Sequence, residues 1–255
     1  MSGNIRTQGG HGRLGSVLSG LAVAVGCVLF LGGFVWGAVL YQPYSVPTDS
    51  MTPTLDVGSK ILAQRVDGDE VRRGDVVVFT DPLWGGAPMV KRVAAVGGDT
   101  IACCDRDGRL TVNGTPVHEP YLRPGPGGRT VASGQDFSVT VPEGNLFLLG
   151  DDRYTSLDSR THLDEAGRGS VPRSTVVARV DAVVWPAKGL LDRPTGFAGL
   201  PGGISEPGPV RPLLTAIAAG GLLVLAGGAY GPVARFLAKR RPAGRRAGER
   251  EKVGS

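Results

Sequence analysis

Histidine and cysteine are scarce in this chain: its 255 residues contain three of each. A zinc site draws its ligands from closely spaced pairs, and no second pair accompanies the adjacent Cys103 and Cys104. The sequence therefore argues against a metal centre and implies no cofactor. Aromatic residues are few, 6% of the total, and they do not alternate with basic ones, so the net charge of +5 carries no nucleic-acid signature. Charge is absent altogether from residues 17–41 and 213–230. About 20 apolar residues in a helix cross the roughly 30 Å hydrocarbon core of a bilayer, so the first run is long enough and the second is near the lower limit. The mean hydropathy of +0.03 hides this segregation.

The basic residues give an orientation. Arg6 and Arg13 precede the first apolar run, and Lys239, Arg240, Arg241, Arg245, Arg246, Arg250 and Lys252 follow the second. Basic flanks stay cytoplasmic, while long translocated loops are exempt from the count. The expected layout is a cytoplasmic N-terminus (1–16), a transmembrane helix (17–41), an extracytoplasmic β-rich domain (42–190), a Gly/Pro-rich linker (191–212), a second transmembrane helix (213–232) and a basic cytoplasmic tail (233–255). That layout predicts a multi-pass protein of the plasma membrane. The first run is read as a retained anchor. It exceeds the roughly 7–15 residues of a signal-peptide core, and its exit at Val39-Leu40-Tyr41-Gln42 has no small-x-small cleavage site. Cys27 serves there as a small apolar residue. Outside the membrane the setting is oxidising. Cys103 and Cys104 are then a vicinal disulfide, a link to another chain, or free thiols.

The central region reads as all-β. Ser59–Val66, Asp75–Phe79, Met89–Val96, Thr100–Cys104, Arg109–Val112, Phe137–Val141, Leu146–Leu149 and Val176–Trp185 are rich in Val, Ile, Leu and Phe between Gly, Pro and Asp clusters. Asn113-Gly114 is a hairpin signal. Residues 123–134 hold too many Gly and Pro for regular structure.

Ser50 opens Ser-Met-Thr-Pro-Thr-Leu, nine residues after the first apolar run ends at Tyr41. A serine hydroxyl needs a base to become a nucleophile. The usual base is histidine, and only His162, close to the polar run 150–160, is placed to serve. His118 follows the hairpin and His11 lies before the first span. Lys91 is the other candidate. Its neighbours Met89, Val90 and Val93 are apolar, and burial among them would lower its pKa and free the neutral amine. The alternative is a solvated lysine on the polar face of a strand. Gly150–Arg160, GDDRYTSLDSR, is either a hydrogen-bonded support for a site or a turn rich in loop formers.

Taken in order, Ser50–Leu55, Gly74–Phe79, Lys91-Arg92 with Gly98-Asp99, and Gly150–Arg160 resemble the bacterial type I signal peptidases, membrane-bound Ser-Lys proteases. The resemblance covers about residues 17–186. The second span and the adjacent cysteines look like the variants of high-GC Gram-positive bacteria. It implies that Ser50 is the nucleophile and Lys91 the general base. Thr48 joins the Ser50 backbone N–H in the oxyanion hole, and Ser156 orients the lysine. Asp158 and Arg160 form a structural pair behind it, while Phe79, Met89 and Leu148 wall the lysine from water. Val46, Pro47, Met51, Leu55 and Val90 line a shallow apolar cleft for small residues such as Ala-x-Ala, where substrate docks as an added strand. The implied partners are membrane-inserted preproteins leaving the export machinery, and the bilayer itself. The chain departs from the family at Asp49, where glycine usually precedes the nucleophile, at Ser59-Lys60, at Asp152 in place of Asn, and at Gly97-Gly98-Asp99, which lacks a proline. The rival readings are a processing peptidase with one dedicated substrate, and a silent membrane-anchored β domain that binds export substrates.

Overall fold

The computed structural model describes residues 10–125 and 128–240. The first nine residues, with Arg6, and the tail from residue 241 onward, with most of its arginines, lie outside them. The chain divides into a helical unit and a β unit, Ala38–Val210.

The helical unit comprises α1 (Gly10–Leu40) and α2 (Val210–Arg240). Both exceed the charge-free runs, because helical hydrogen bonding does not require apolar side chains. Gly15–Leu40 and Val210–Val233 are long and apolar enough to cross a membrane. The helices touch through small residues. A Cβ on Gly26 would fall 2.8 Å from the Gly220 carbonyl oxygen, and one on Gly227 would fall 2.9 Å from that of Ser19. The Ser19 hydroxyl donates to the Gly227 carbonyl at 2.7 Å. Close backbone approach of this kind is how apolar helices pack without a hydrophobic driving force.

The β unit is built from two antiparallel sheets. The larger contains β1 (Tyr41–Ser45), β2 (Lys60–Gln64), β3 (Val76–Phe79), β4 (Met89–Val96), β9 (Asn145–Leu149), β10 (Ser170–Pro172), β11 (Val176–Trp185) and β12 (Gly189–Leu190), in the order β1-β2-β11-β3-β4-β9-β10 with β12 beside β11. The smaller contains β5 (Thr100–Cys103), β6 (Thr111–Val112), β7 (Thr115–Pro116) and β8 (Phe137–Thr140), in the order β7-β6-β5-β8.

Side chains alternate across a strand, and both faces of the larger sheet are covered. Val76 and Val78 join Val46, Met51, Leu55, Ile61 and Val180 on one face. Val77 and Phe79 join Val93, Leu146 and Leu148 on the other. This is why β3 reads as an unbroken apolar run. A third cluster, around Ile101, Leu110, Val139 and Phe147, fills the base of the small sheet.

Three findings differ from the sequence reading or go beyond it. Residues 191–210 are not a free linker. Phe197 and Leu200 are buried in the third cluster, Arg193 pairs with Asp181 and Ser205 bonds Asp75, and the Pro201 carbonyl accepts from Arg73. Gly and Pro supply the turns of this segment while its few apolar and charged side chains hold it down. Second, β1 was unforeseen because of Pro43, which is tolerated since β1 is an edge strand. Third, Cys103 and Cys104 are joined to each other at the end of β5.

Candidate active site

Ser50 sits in a turn that follows β1. The Thr52 N–H donates to the Asp49 carbonyl at 2.8 Å and the Leu55 N–H to the Met51 carbonyl at 2.9 Å. Met51 and Leu55 anchor the turn from beneath, both buried. Thr48 and Asp49 are exposed on its outer side and Ser50 is half-buried.

Lys91 reaches this turn from β4. Antiparallel register pairs Val77 with Lys91, Phe79 with Met89 and Val93 with Leu148. Strand alternation therefore puts Phe79, Met89 and Leu148 on the lysine's face of the sheet. Phe79 and Leu148 are fully buried, and Lys91 itself is 4% exposed. Its Nζ donates to Ser50 Oγ at 2.7 Å. Burial lowers the Lys91 pKa to about 8; the carboxylates of Asp158, Asp151 and Asp49 pull it upward, and the Arg160 guanidinium helps burial hold it down. At pH 7 roughly one amine in ten is then neutral, against fewer than about one in a thousand for an unperturbed lysine. Thr48 Oγ1 lies 3.3 Å from Ser50 Oγ.

The loop after β9 backs this pair. The Asp152 N–H donates to the Ser50 carbonyl at 3.0 Å. Gly150 lies so close that a Cβ there would fall 2.5 Å from the Ser50 carbonyl oxygen and 2.1 Å from Ser156 Oγ. Arg160 grips Asp158 through Nε and Nη2, each at 2.8 Å, and the Gly150 N–H donates to the same carboxylate at 2.9 Å. Burial alone would raise the Asp158 carboxyl; the Arg160 hydrogen bonds and charge, with help from the Gly150 N–H, hold it below the ordinary range. Ser156 differs from expectation. Its hydroxyl is buried but meets no partner at hydrogen-bonding geometry, so no bond to Lys91 is formed. On the far side, Arg92 clasps Asp151 at 2.8 and 2.6 Å.

A cleft of about 570 Å³ opens over Ser50 and Lys91. Val46, Pro47, Met51 and Val90 line it. Leu55 does not; it is fully buried under the turn. Tyr44, Pro88, Thr155 and Leu157 also line the cleft, and the sequence reading missed them. Val78, which also lines it, stands opposite Val90 in the sheet. Tyr44 could not be found from the sequence, because β1 itself was unseen. His162 is engaged elsewhere. Its Nδ1 lies 2.6 Å from Glu165 and its ring stacks on Trp84 at 4.5 Å, while the Ser50 hydroxyl is bonded to Lys91. His118 is exposed. Among the described residues no His, Cys, Asp and Glu cluster is arranged to hold a metal.

The chain is similar to known proteins. The family model described as "Signal peptidase, peptidase S26" matches residues 17–185. A probable signal peptidase I of Mycobacterium leprae is 34% identical over 199 residues, 57% of this chain and 68% of that protein. A signal peptidase I of Mycobacterium tuberculosis is 34% identical over 57% of this chain and 65% of its own length, so the chain spans about two thirds of these mycobacterial relatives. One from Bacillus caldolyticus is 37% identical over 58% of this chain and 82% of its own. A crystal structure of a signal peptidase I from Enterococcus faecalis, 29% identical, covers 48% of this chain and 96% of its own, with a TM-score of 0.34. With more than half of its length matched, the chain belongs to the signal peptidase family, peptidase S26, as a serine-type hydrolase of the signal peptidase I kind.

Proposed function

We propose that this chain cleaves signal peptides from exported preproteins, after a small residue in an Ala-x-Ala type site, with Ser50 as nucleophile and Lys91 as general base. The observation that carries the reading is the 2.7 Å contact between Ser50 Oγ and a buried Lys91 amine. Neutral Lys91 accepts the Ser50 proton as Oγ attacks the carbonyl carbon of the scissile bond. The negative charge that develops on the carbonyl oxygen is met by the Ser50 N–H and the Thr48 hydroxyl. Collapse breaks the C–N bond, and the Lys91 ammonium returns the proton to the departing amine. Lys91 then deprotonates a water that hydrolyses the Ser50 ester. Asp158 and Arg160 hold the loop that closes around the lysine.

Substrate lies as an extra strand between Val46–Thr48 and Pro88–Val90. The walls there are Val46, Pro47, Met51, Val78 and Val90, which suit small apolar side chains. The preprotein is held in the bilayer, and Ser50 follows the end of α1 by only ten residues. Both termini are cytoplasmic and the β unit faces the outside.

The test is cleavage of a labelled preprotein carrying Ala-x-Ala by the intact chain beside Ser50→Ala and Lys91→Ala. The expected result is cleavage by the intact chain alone, with each substitution reducing kcat by at least about 1000-fold. Processing that survives both substitutions would sink the Ser-Lys assignment.

A further inference from the structure

We propose that Glu119 and Tyr121, in the segment that leaves the small sheet after β7, are positioning residues for Lys91; the inference rests on the Ser-Lys reading above. Neither residue touches the cleft. They reach the lysine through the two elements that enclose it.

The first route is β4. Arg92 directly follows Lys91, and it is fixed on every side. Its guanidinium makes two bonds to Asp151 and a third, at 2.8 Å, to the Gly74 carbonyl. The Tyr121 ring covers its open face, with Cζ 3.9 Å from the ring centroid. A desolvated cation over an aromatic ring is held by the negative face of the ring's quadrupole. The second route is the loop 150–160. The Tyr121 hydroxyl donates to Glu119 at 2.5 Å. Burial keeps that phenol well above its ordinary pKa, so it remains a donor. The Glu119 carboxylate pairs with Arg153 at 3.0 and 2.5 Å. Arg153 Nε in turn donates to the Gly150 carbonyl at 3.0 Å, and the Arg153 carbonyl accepts from Arg160, the partner of Asp158.

Two side chains thus bind the strand that carries Lys91 to the loop that backs it. The charges involved are buried: Arg92 and Asp151 at 2% exposure, Arg153 at 4%, Glu119 at 9%. Buried charges that lose a partner do not relax into water; they draw the surrounding structure into a new arrangement. A shift of about 1 Å between Ser50 Oγ and Lys91 Nζ is enough to cost on the order of 100-fold in rate. The cleft walls Val46, Pro47, Met51 and Val90 take no part in this network. Loss of positioning should therefore appear in kcat and leave KM in place.

The experiment uses the full chain in detergent micelles and a preprotein with an Ala-x-Ala site. Tyr121→Leu removes the ring, Tyr121→Phe keeps it, and Glu119→Gln removes the charge that holds Arg153. Expected are a drop in kcat of about tenfold or more for Tyr121→Leu and Glu119→Gln with KM within about twofold, and a smaller drop, of about three- to fivefold, for Tyr121→Phe, which keeps the ring over Arg92 but cuts the bond to Glu119. A folded Tyr121→Leu variant with parental kcat, or a loss carried by KM, overturns the proposal. Should Tyr121→Leu fail to fold, Glu119→Gln decides, and parental kcat there overturns it equally. Ser50→Ala is measured alongside. If it is inactive while the Glu119 and Tyr121 variants behave as the parent, only this inference fails; if it cleaves, the Ser-Lys reading fails.

Discussion

Lys91 is the residue on which the chemistry turns, because its environment changes its proton affinity rather than its identity. Its pKa is lowered to about 8, first by burial. The reactive species is the neutral amine, so kcat/KM should climb about tenfold per pH unit below 8 and level off above it. Asp49 is a separate knob on the same quantity. It is exposed, yet its carboxylate favours the lysine's charged form. Asp49→Asn removes that stabilisation, so the rising limb of the pH profile should move to lower pH with little change in the plateau. A pH titration of kcat/KM for the two proteins checks this, and a shift to higher pH would contradict it. Much of the site at this scale was legible. Ser50, Thr48, Lys91, Asp158 and Arg160 stand in ordered motifs whose spacing survives without any coordinates. The burial of Lys91 was not legible, because residues alternating in Met89–Val93 could equally have turned the amine to solvent. Only the register with β3 and β9 decides it. Ser156 shows the converse. Its motif position implied a bond to the lysine, while the folded hydroxyl bonds nothing.

At the scale of elements, the turn at Ser50 and the loop after β9 behave as one unit. They are sewn by the Asp152 N–H to the Ser50 carbonyl and pressed together at Gly150. A side chain at 150 has no room, since its Cβ would meet both the Ser50 carbonyl oxygen and the Ser156 side chain at 2.5 Å or less. Backbone must yield, and the nearest backbone is the one that aims the nucleophile. Gly150→Ala should therefore lower kcat/KM by about 100-fold, far more than an exposed glycine such as Gly134, where a Cβ meets nothing. Steady-state assays of Gly150→Ala and Gly134→Ala make the comparison. Strand content was readable where apolar runs were dense, as in β3, β4, β9 and β11. The edge strand β1 was hidden by its proline, and with it Tyr44 on the rim of the cleft. The two-residue strands β7 and β12 offer no pattern to read. Leu157, 73% exposed at the cleft, carries no signal in sequence either. It stands between two buried neighbours, Ser156 and Asp158, and only the loop's path turns it outward.

For the whole molecule, the segment between the last long strand and α2 changes how the β unit is held together. In sequence its glycines and prolines read as a spacer, because composition reports backbone freedom and not what the few other side chains can reach. Arg193 is the clearest case. Its guanidinium stands between Asp181 of β11 and Asp75 at the entrance to β3, and both carboxylates are buried. Asp181 also accepts from the Tyr41 hydroxyl on β1 at 3.0 Å, and Asp75 from Ser205. One arginine thus ties the segment to β11 and to the entrance of β3, and Asp181 carries the link on to β1. Removing it strands two carboxylates away from water, a change that typically costs about 3–5 kcal/mol. Arg193→Ala should lower the melting temperature of the β unit by roughly 6–20 °C for a cost of that size, at about 2–4 °C per kcal/mol in a domain of this length. Arg193→Lys should recover only part of the loss, since an ammonium cannot span both partners as a planar guanidinium does. Thermal denaturation of the two variants in micelles tests this, and a melting temperature unchanged in Arg193→Ala would return the segment to the role of a passive spacer.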